Sequence, residues 1–143
     1  MALGAASFWV VGTPQTQGSM RAFVIGKRAV VTSTNKQLKP WRERVAEAAR
    51  EAGWGDELID GPVHVGMQFH VARPRSHFNA KGLKPNAPML PASHVGDLDK
   101  LVRAIGDALT GVIWTDDRRI VSIVAQKHYA IGSDGVNILV IKL

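Results

Sequence analysis

Apolar and polar positions alternate without a slip from Val63 to Val71, with Val63, Val65, Met67, Phe69 and Val71 set against His64, Gly66, Gln68 and His70. A period of two sustained this long predicts a β-strand with one buried and one polar face. The spacing changes further on. Leu98, Leu101, Val102, Ile105 and Leu109 recur at i, i+3, i+4, i+7 and i+11, the stripe of an amphipathic helix running from about Leu98 to Thr110, with Gly111 as its stop. Another helix is predicted from Leu38 to Ala52. Pro40 suits its first turn, Trp41, Val45, Ala48 and Ala49 share a face, and Gly53 ends it.

Shorter runs fill in the rest. Phe8 to Val11 reads as a first strand, followed by a polar linker from Gly12 to Ser19. Arg21–Ile25 and Ala29–Thr32 flank Gly26-Lys27-Arg28 as a hairpin, and Thr34-Asn35-Lys36 is a turn. Ile120–Lys127 and Val136–Lys142 are strands on either side of the turn Ile131–Gly135, which predicts a C-terminal antiparallel β-hairpin. Between the alternating strand and the second helix, residues 72–96 carry four prolines and form a long, flexible loop. The expected fold is α+β, a single domain over residues 1–143, with a mixed or antiparallel sheet, two main helices and a C-terminal β-hairpin.

Composition narrows the class. With 45% hydrophobic and 21% charged residues, the chain is long enough and apolar enough for one buried core. There is no Cys, so disulfides, thiolate metal sites and Cys nucleophiles are excluded, and a cytoplasmic setting is expected. The apolar opening Met1–Val11 lacks a basic leading segment and is cut by Gly12-Thr13-Pro14, well short of the roughly 18 apolar residues of a membrane span. No membrane partner is expected.

Charge changes the picture more. The net charge is +6 and the isoelectric point near 10.1, which favours a polyanionic partner. From Gly61 to Gly96 there is no Asp or Glu, while Arg73, Arg75, Lys81 and Lys84 are present. Yet five of the twelve carboxylates fall between Asp97 and Asp117: Asp97, Asp99, Asp107, Asp116 and Asp117. Carboxylates so crowded repel unless a cation sits among them. If Asp97 is extended, it and Asp99 point the same way and can meet one ion. Asp116 and Asp117 lie beyond a helix about 20 Å long, so Asp117 must be carried back along the next strand or supplied by the partner chain of a homodimer. Oxygen donors favour Mg²⁺ or Mn²⁺ over zinc. Each carboxylate also has a plain structural use. Asp97 or Asp99 can cap the helix, Asp99, Arg103 and Asp107 can pair along its polar face, and Asp116-Asp117 can make a turn.

The stretch GDLDKLVRAIGDALTGVIWTDDRRIV, Gly96 to Val121, followed by Lys127, resembles the RusA family of Holliday junction resolvases. The family pattern is D-x-D-N-L, a basic residue, D-A-L, and D-D before a valine-rich strand that ends in Lys. Lys39-Pro40-Trp41 at a helix start and a basic loop before the first aspartate support the resemblance. It implies a magnesium-dependent endodeoxyribonuclease acting as a homodimer on four-way DNA junctions by paired symmetric nicks, with no nucleotide cofactor. Carried over by position, Asp97, Asp99 and Asp117 match the metal-binding residues, Asp107 the aspartate of D-A-L, and Lys127 the strand lysine. Two positions depart from the pattern: Lys100 stands where the family usually has Asn, and Arg103 where it usually has Lys.

The expected chemistry is metal-assisted hydrolysis at Asp97, Asp99 and Asp117. Arg103 or Lys127 would offset charge on the scissile phosphate. Lys27, Arg28, Arg73, Arg75, Lys81 and Lys84 would hold flanking phosphates without reading bases. Arg103 keeps positive charge but cannot give up a proton. Two rivals share these residues: a metal nuclease for other branched DNA, and a junction-binding protein with impaired catalysis. Trp41 and Trp114 are expected in the core, and His64 and His70 on the polar strand face could touch DNA or a second subunit.

Overall fold

The computed structural model describes residues 4–18, 20–33, 35–92 and 95–143, and for 20–23 and 30–33 the backbone alone. Met1–Leu3 of the apolar opening, Ser19 of the linker and Thr34 of the expected turn lie outside the described residues. The strands are β1 (Ala5–Val11), β2 (Met20–Ile25), β3 (Arg28–Ser33), β4 (Val63–Val71), β5 (Phe78–Asn79), β6 (Gly82–Leu83), β7 (Ile120–Tyr129) and β8 (Gly135–Lys142). The helices are α1 (Leu38–Glu51) and α2 (Leu98–Leu109). Four strands form a mixed sheet in the order β1-β8-β4-β7, in which β4 pairs antiparallel with β8 and parallel with β7.

Packing follows the pattern in the sequence. Every apolar residue of β4 that alternation assigns to the core is fully buried, from Val63 to Val71. They face the two helices, which lie together on one side of the sheet. Leu38, Trp41, Val45, Ala48 and Ala49 of α1 meet Leu101, Ile105 and Leu109 of α2 in one core, with Trp114 at its floor. Each large apolar side chain so buried is worth about 1.5–3 kcal/mol relative to exposure. Trp114 also keeps its indole N–H satisfied, donating to Thr110 Oγ1 at 3.1 Å. Among the described residues, no helix is long and apolar enough to cross a membrane.

The α+β class and the mixed sheet match the expectation, but the last two strands are arranged differently. β7 and β8 run antiparallel, yet they are not bonded to each other: β4 lies between them. The residues between them step over one strand instead of closing a hairpin. The reason is that β4, apolar on its whole inner edge, is most stable at the centre of the sheet, with partners on both sides.

The opposite face of the sheet is open. Trp9, Gln68, His70, Val124, His128 and Leu139 lie on it, with His70 and His128 stacked at 5.4 Å and Trp9 tilted against His70 at 5.5 Å. Away from this body, β2 and β3 pair only with each other. Their two-residue turn has Gly26 at φ 62° followed by Lys27 at negative φ, the pattern of a type II′ turn. The loop 72–96 is not featureless. It holds a 3₁₀ turn at Arg75–His77 and the small hairpin β5–β6.

Candidate active site

α2 begins where Asp97, still extended (φ −75°, ψ 136°), lends its backbone carbonyl to the N–H groups of Lys100 and Leu101. Its carboxylate makes no capping hydrogen bond. The capping role that competes with metal binding is therefore not taken up, and the carboxylate stays exposed, with Lys100 Nζ at 3.6 Å its only ion-pair partner among the described residues. Asp99, in the first turn, is exposed as well, where the helix dipole favours negative charge. Neither Asp99 nor Arg103 has an ion-pair partner among the described residues.

The segment before the helix is tightly held. Gly96 has φ 84°, and a Cβ there would lie 2.7 Å from the Thr16 methyl, so the position suits glycine alone. Its neighbour Val95 also has positive φ, 70°, a costly conformation for a β-branched residue. Lys127 comes from β7, opposite Phe69 on the helix side of the sheet, and its Nζ donates to Gly96 O at 2.9 Å. Asp97, Asp99, Lys100, Arg103 and Lys127 thus gather around one end of α2. Three of these are cations beside two exposed carboxylates.

The linker Gly12–Gly18 braces the same helix. Gln17 N–H donates to Lys100 O at 3.0 Å, and the Gln17 side chain donates to Asp107 Oδ2. Asn35 holds the linker from the α1 side, donating to Gln15 Oε1 and Thr16 O at 3.1 and 3.2 Å. Asp107 therefore serves as an anchor for the linker.

Asp116 and Asp117 are at the far end. Asp116 caps the 3₁₀ turn Asp117–Arg119: its Oδ1 accepts from Arg118 N at 2.8 Å, and the Arg118 guanidinium grips the carboxylate at 3.2 and 3.1 Å. Those bonds hold its pKa down, to about 2. Asp117 is exposed, forms no ion pair among the described residues, and faces a cavity of about 300 Å³ shared with Arg42, Asp107 and Thr110. α2 has 12 residues, about 18 Å of helix. Within one chain Asp117 and the pair Asp97 and Asp99 stand at opposite ends of it. Among the described residues, no three His, Cys, Asp or Glu side chains converge to hold a metal.

Asp97 and Asp99 on their own fit a hard divalent cation that keeps several waters: two exposed carboxylates two residues apart, with no thiolate. The same chain's Asp117, at the far end of α2, does not join them.

The expected phosphate contacts divide. Lys27 and Arg28 are exposed at the hairpin tip, and Arg75 and Lys81 are exposed on the 72–96 loop, with Lys84 half-buried. Arg73 is committed to the loop itself. It lies 4.2 Å over the Tyr129 ring and donates to Pro88 O at 2.7 Å. Arg42, beside Asp117, carries no signal in the sequence; only the fold brings α1 against the end of α2.

The fold and this end of α2 define a small basic α+β domain that presents carboxylates among cations. The family model described as Endodeoxyribonuclease RusA matches residues 12–141. The chain belongs to the RusA family of endodeoxyribonucleases. It is also 28% identical over 127 residues to the uncharacterized protein YqaN of Bacillus subtilis (strain 168), a match covering 86% of this chain and 87% of that protein.

Proposed function

We propose that this protein is a magnesium-dependent, structure-specific endodeoxyribonuclease that resolves four-way DNA junctions by paired symmetric nicks, as a homodimer. The observation that carries the reading is the pair Asp97 and Asp99. Both carboxylates are exposed at a helix entrance, spared from capping and surrounded by Lys100, Arg103 and Lys127, in a chain of an endodeoxyribonuclease family. Mg²⁺ or Mn²⁺ bound there supplies activation of the attacking water and charge neutralisation at the leaving oxygen.

The chain's own groups do the rest. Asp97 and Asp99 orient the water for in-line attack on phosphorus, and Arg103, one turn along the exposed stripe, neutralises the non-bridging phosphate oxygens as they gain charge. As a guanidinium it does so without transferring a proton. Lys127 spends one N–H on Gly96 O and keeps two donors, so it can protonate or bond the leaving oxygen. Asp117 acts in the partner's site. The length of α2 supports this reading, because it separates Asp117 from Asp97 and Asp99 of the same chain. Two such sites related by a two-fold axis match a junction with two equivalent strands.

The test is cleavage of a synthetic four-way junction with Mg²⁺, mapped at nucleotide resolution. Asp97→Asn should lose at least about two orders of magnitude in rate, near 3 kcal/mol of barrier, while junction binding survives. Nicking by that variant at the wild-type rate overturns the assignment. Three-way and flap substrates run alongside separate a junction resolvase from a nuclease for other branched DNA.

A further inference from the structure

The exposed side of α1 carries a charge pattern that the site at the α2 entrance does not use. Lys39, Arg42, Glu43, Ala46 and Arg50 fall at i, i+3, i+4, i+7 and i+11, one continuous stripe. With the last turn of α2 it forms an open groove of about 520 Å³, floored by small apolar side chains such as Ala46, Ala108 and Val112. From Lys39 to Arg50 the stripe runs about 16 Å along the helix.

The bases in it are available. Two of the acids on α1, Glu47 and Glu51, pair with Arg44, each at 3.8 Å. Asp107, on the groove's edge, takes the Gln17 amide. Lys39, Arg42 and Arg50 have no ion-pair partner among the described residues. Glu43 is the one opposing charge within the stripe. Arg42 lines both this groove and the adjoining cavity that holds Asp117, so the groove opens onto that carboxylate.

We propose that the groove between α1 and α2 is a track for DNA phosphodiester backbone, in which Lys39, Arg42 and Arg50 grip the strand that runs to Asp117. The proposal rests on the endonuclease reading. The chemistry selects phosphate. Three cations spaced along one line match a repeating anion, at about 3.4 Å of axis per phosphate on one strand. The alanine and valine floor offers no hydrogen bonds to read bases, so the groove positions the strand and does not specify its sequence. Arginine at its centre can take a phosphate through two N–H groups at once.

The test is anisotropy titration of a labelled four-way junction in EDTA, across a series of salt concentrations. Lys39→Ala, Arg42→Ala and Arg50→Ala together should weaken binding at least tenfold. The slope of log affinity against log salt should become shallower by about 2–3, near 0.9 for each phosphate no longer neutralised. Glu43→Gln should move affinity the other way and tighten it. If the triple variant fails to fold, Arg42→Gln alone should reduce the slope by about one unit. An unchanged slope in a folded variant overturns the groove and leaves the nuclease reading standing. A wild-type protein that binds no junction overturns both.

Discussion

Asp116 and Asp117 are neighbours in the chain and opposites in circumstance. Both line the same cavity, but Asp116 is spent on Arg118 and on capping its turn, whereas Asp117 has no ion-pair partner among the described residues. Asp117→Asn should therefore abolish nicking, and Asp116→Asn should retain a measurable rate on the same junction. Equal losses would mean that Asp116 also reaches the reaction. The family resemblance singles out Asp117, but composition and spacing alone do not, because the difference depends on which aspartate the 3₁₀ turn recruits. Protonation gives a second check at this scale. His70 has its pKa lowered from 6.5, first because burial strips water from the ring and second because His128 stacks beside it. A depressed value favours the neutral ring, so its stabilisation is complete above pH 6.5 and is lost as pH falls below it. The melting temperature should drop between about pH 7 and pH 5, and His70→Gln should flatten that drop.

The elements were legible to different degrees. β4 was readable end to end, because a strand buried along one side must alternate strictly. The α2 stripe was equally plain, while β1 begins three residues before Phe8, in a stretch whose exposed Ala5 carries little signal. The separation of β7 from β8 could not be read, since strand order depends on packing competition and leaves no local mark. The same holds for Arg73, whose place over the Tyr129 ring and bond to Pro88 O leave no local mark in the sequence. The β2–β3 arm invites a clean experiment. Its tip residues Lys27 and Arg28 are exposed, so Lys27→Ala with Arg28→Ala should change folding stability by less than about 0.5 kcal/mol. The same pair should make the salt slope of junction binding shallower by about 2. Loss of stability in that variant would show that the arm is packed against something.

At the scale of the molecule, the proposed function divides the site between the two ends of one helix in a dimer, and mixing tests that arrangement. Asp97→Asn and Asp117→Asn homodimers should each be inactive. Subunits exchanged between them would form heterodimers with one intact site and one doubly defective site. Nicking of single strands should return while paired cleavage does not. If mixing restores nothing, Asp117 does not act across the dimer. Overall charge and the acidic stretch were readable from composition, but the division was foreshadowed only by the helix being too long for one chain to span. The sheet carries one more consequence. β8 joins β1 to β4, pairing Ala5 with Ile141 at one margin and His70 with Gly135 at the other. Both neighbours leave the ribosome well before it, so β1 has no place in the sheet until translation passes Lys142. A chain cut short before Gly135 therefore lacks the strand that joins β1 to β4, and its sheet cannot close.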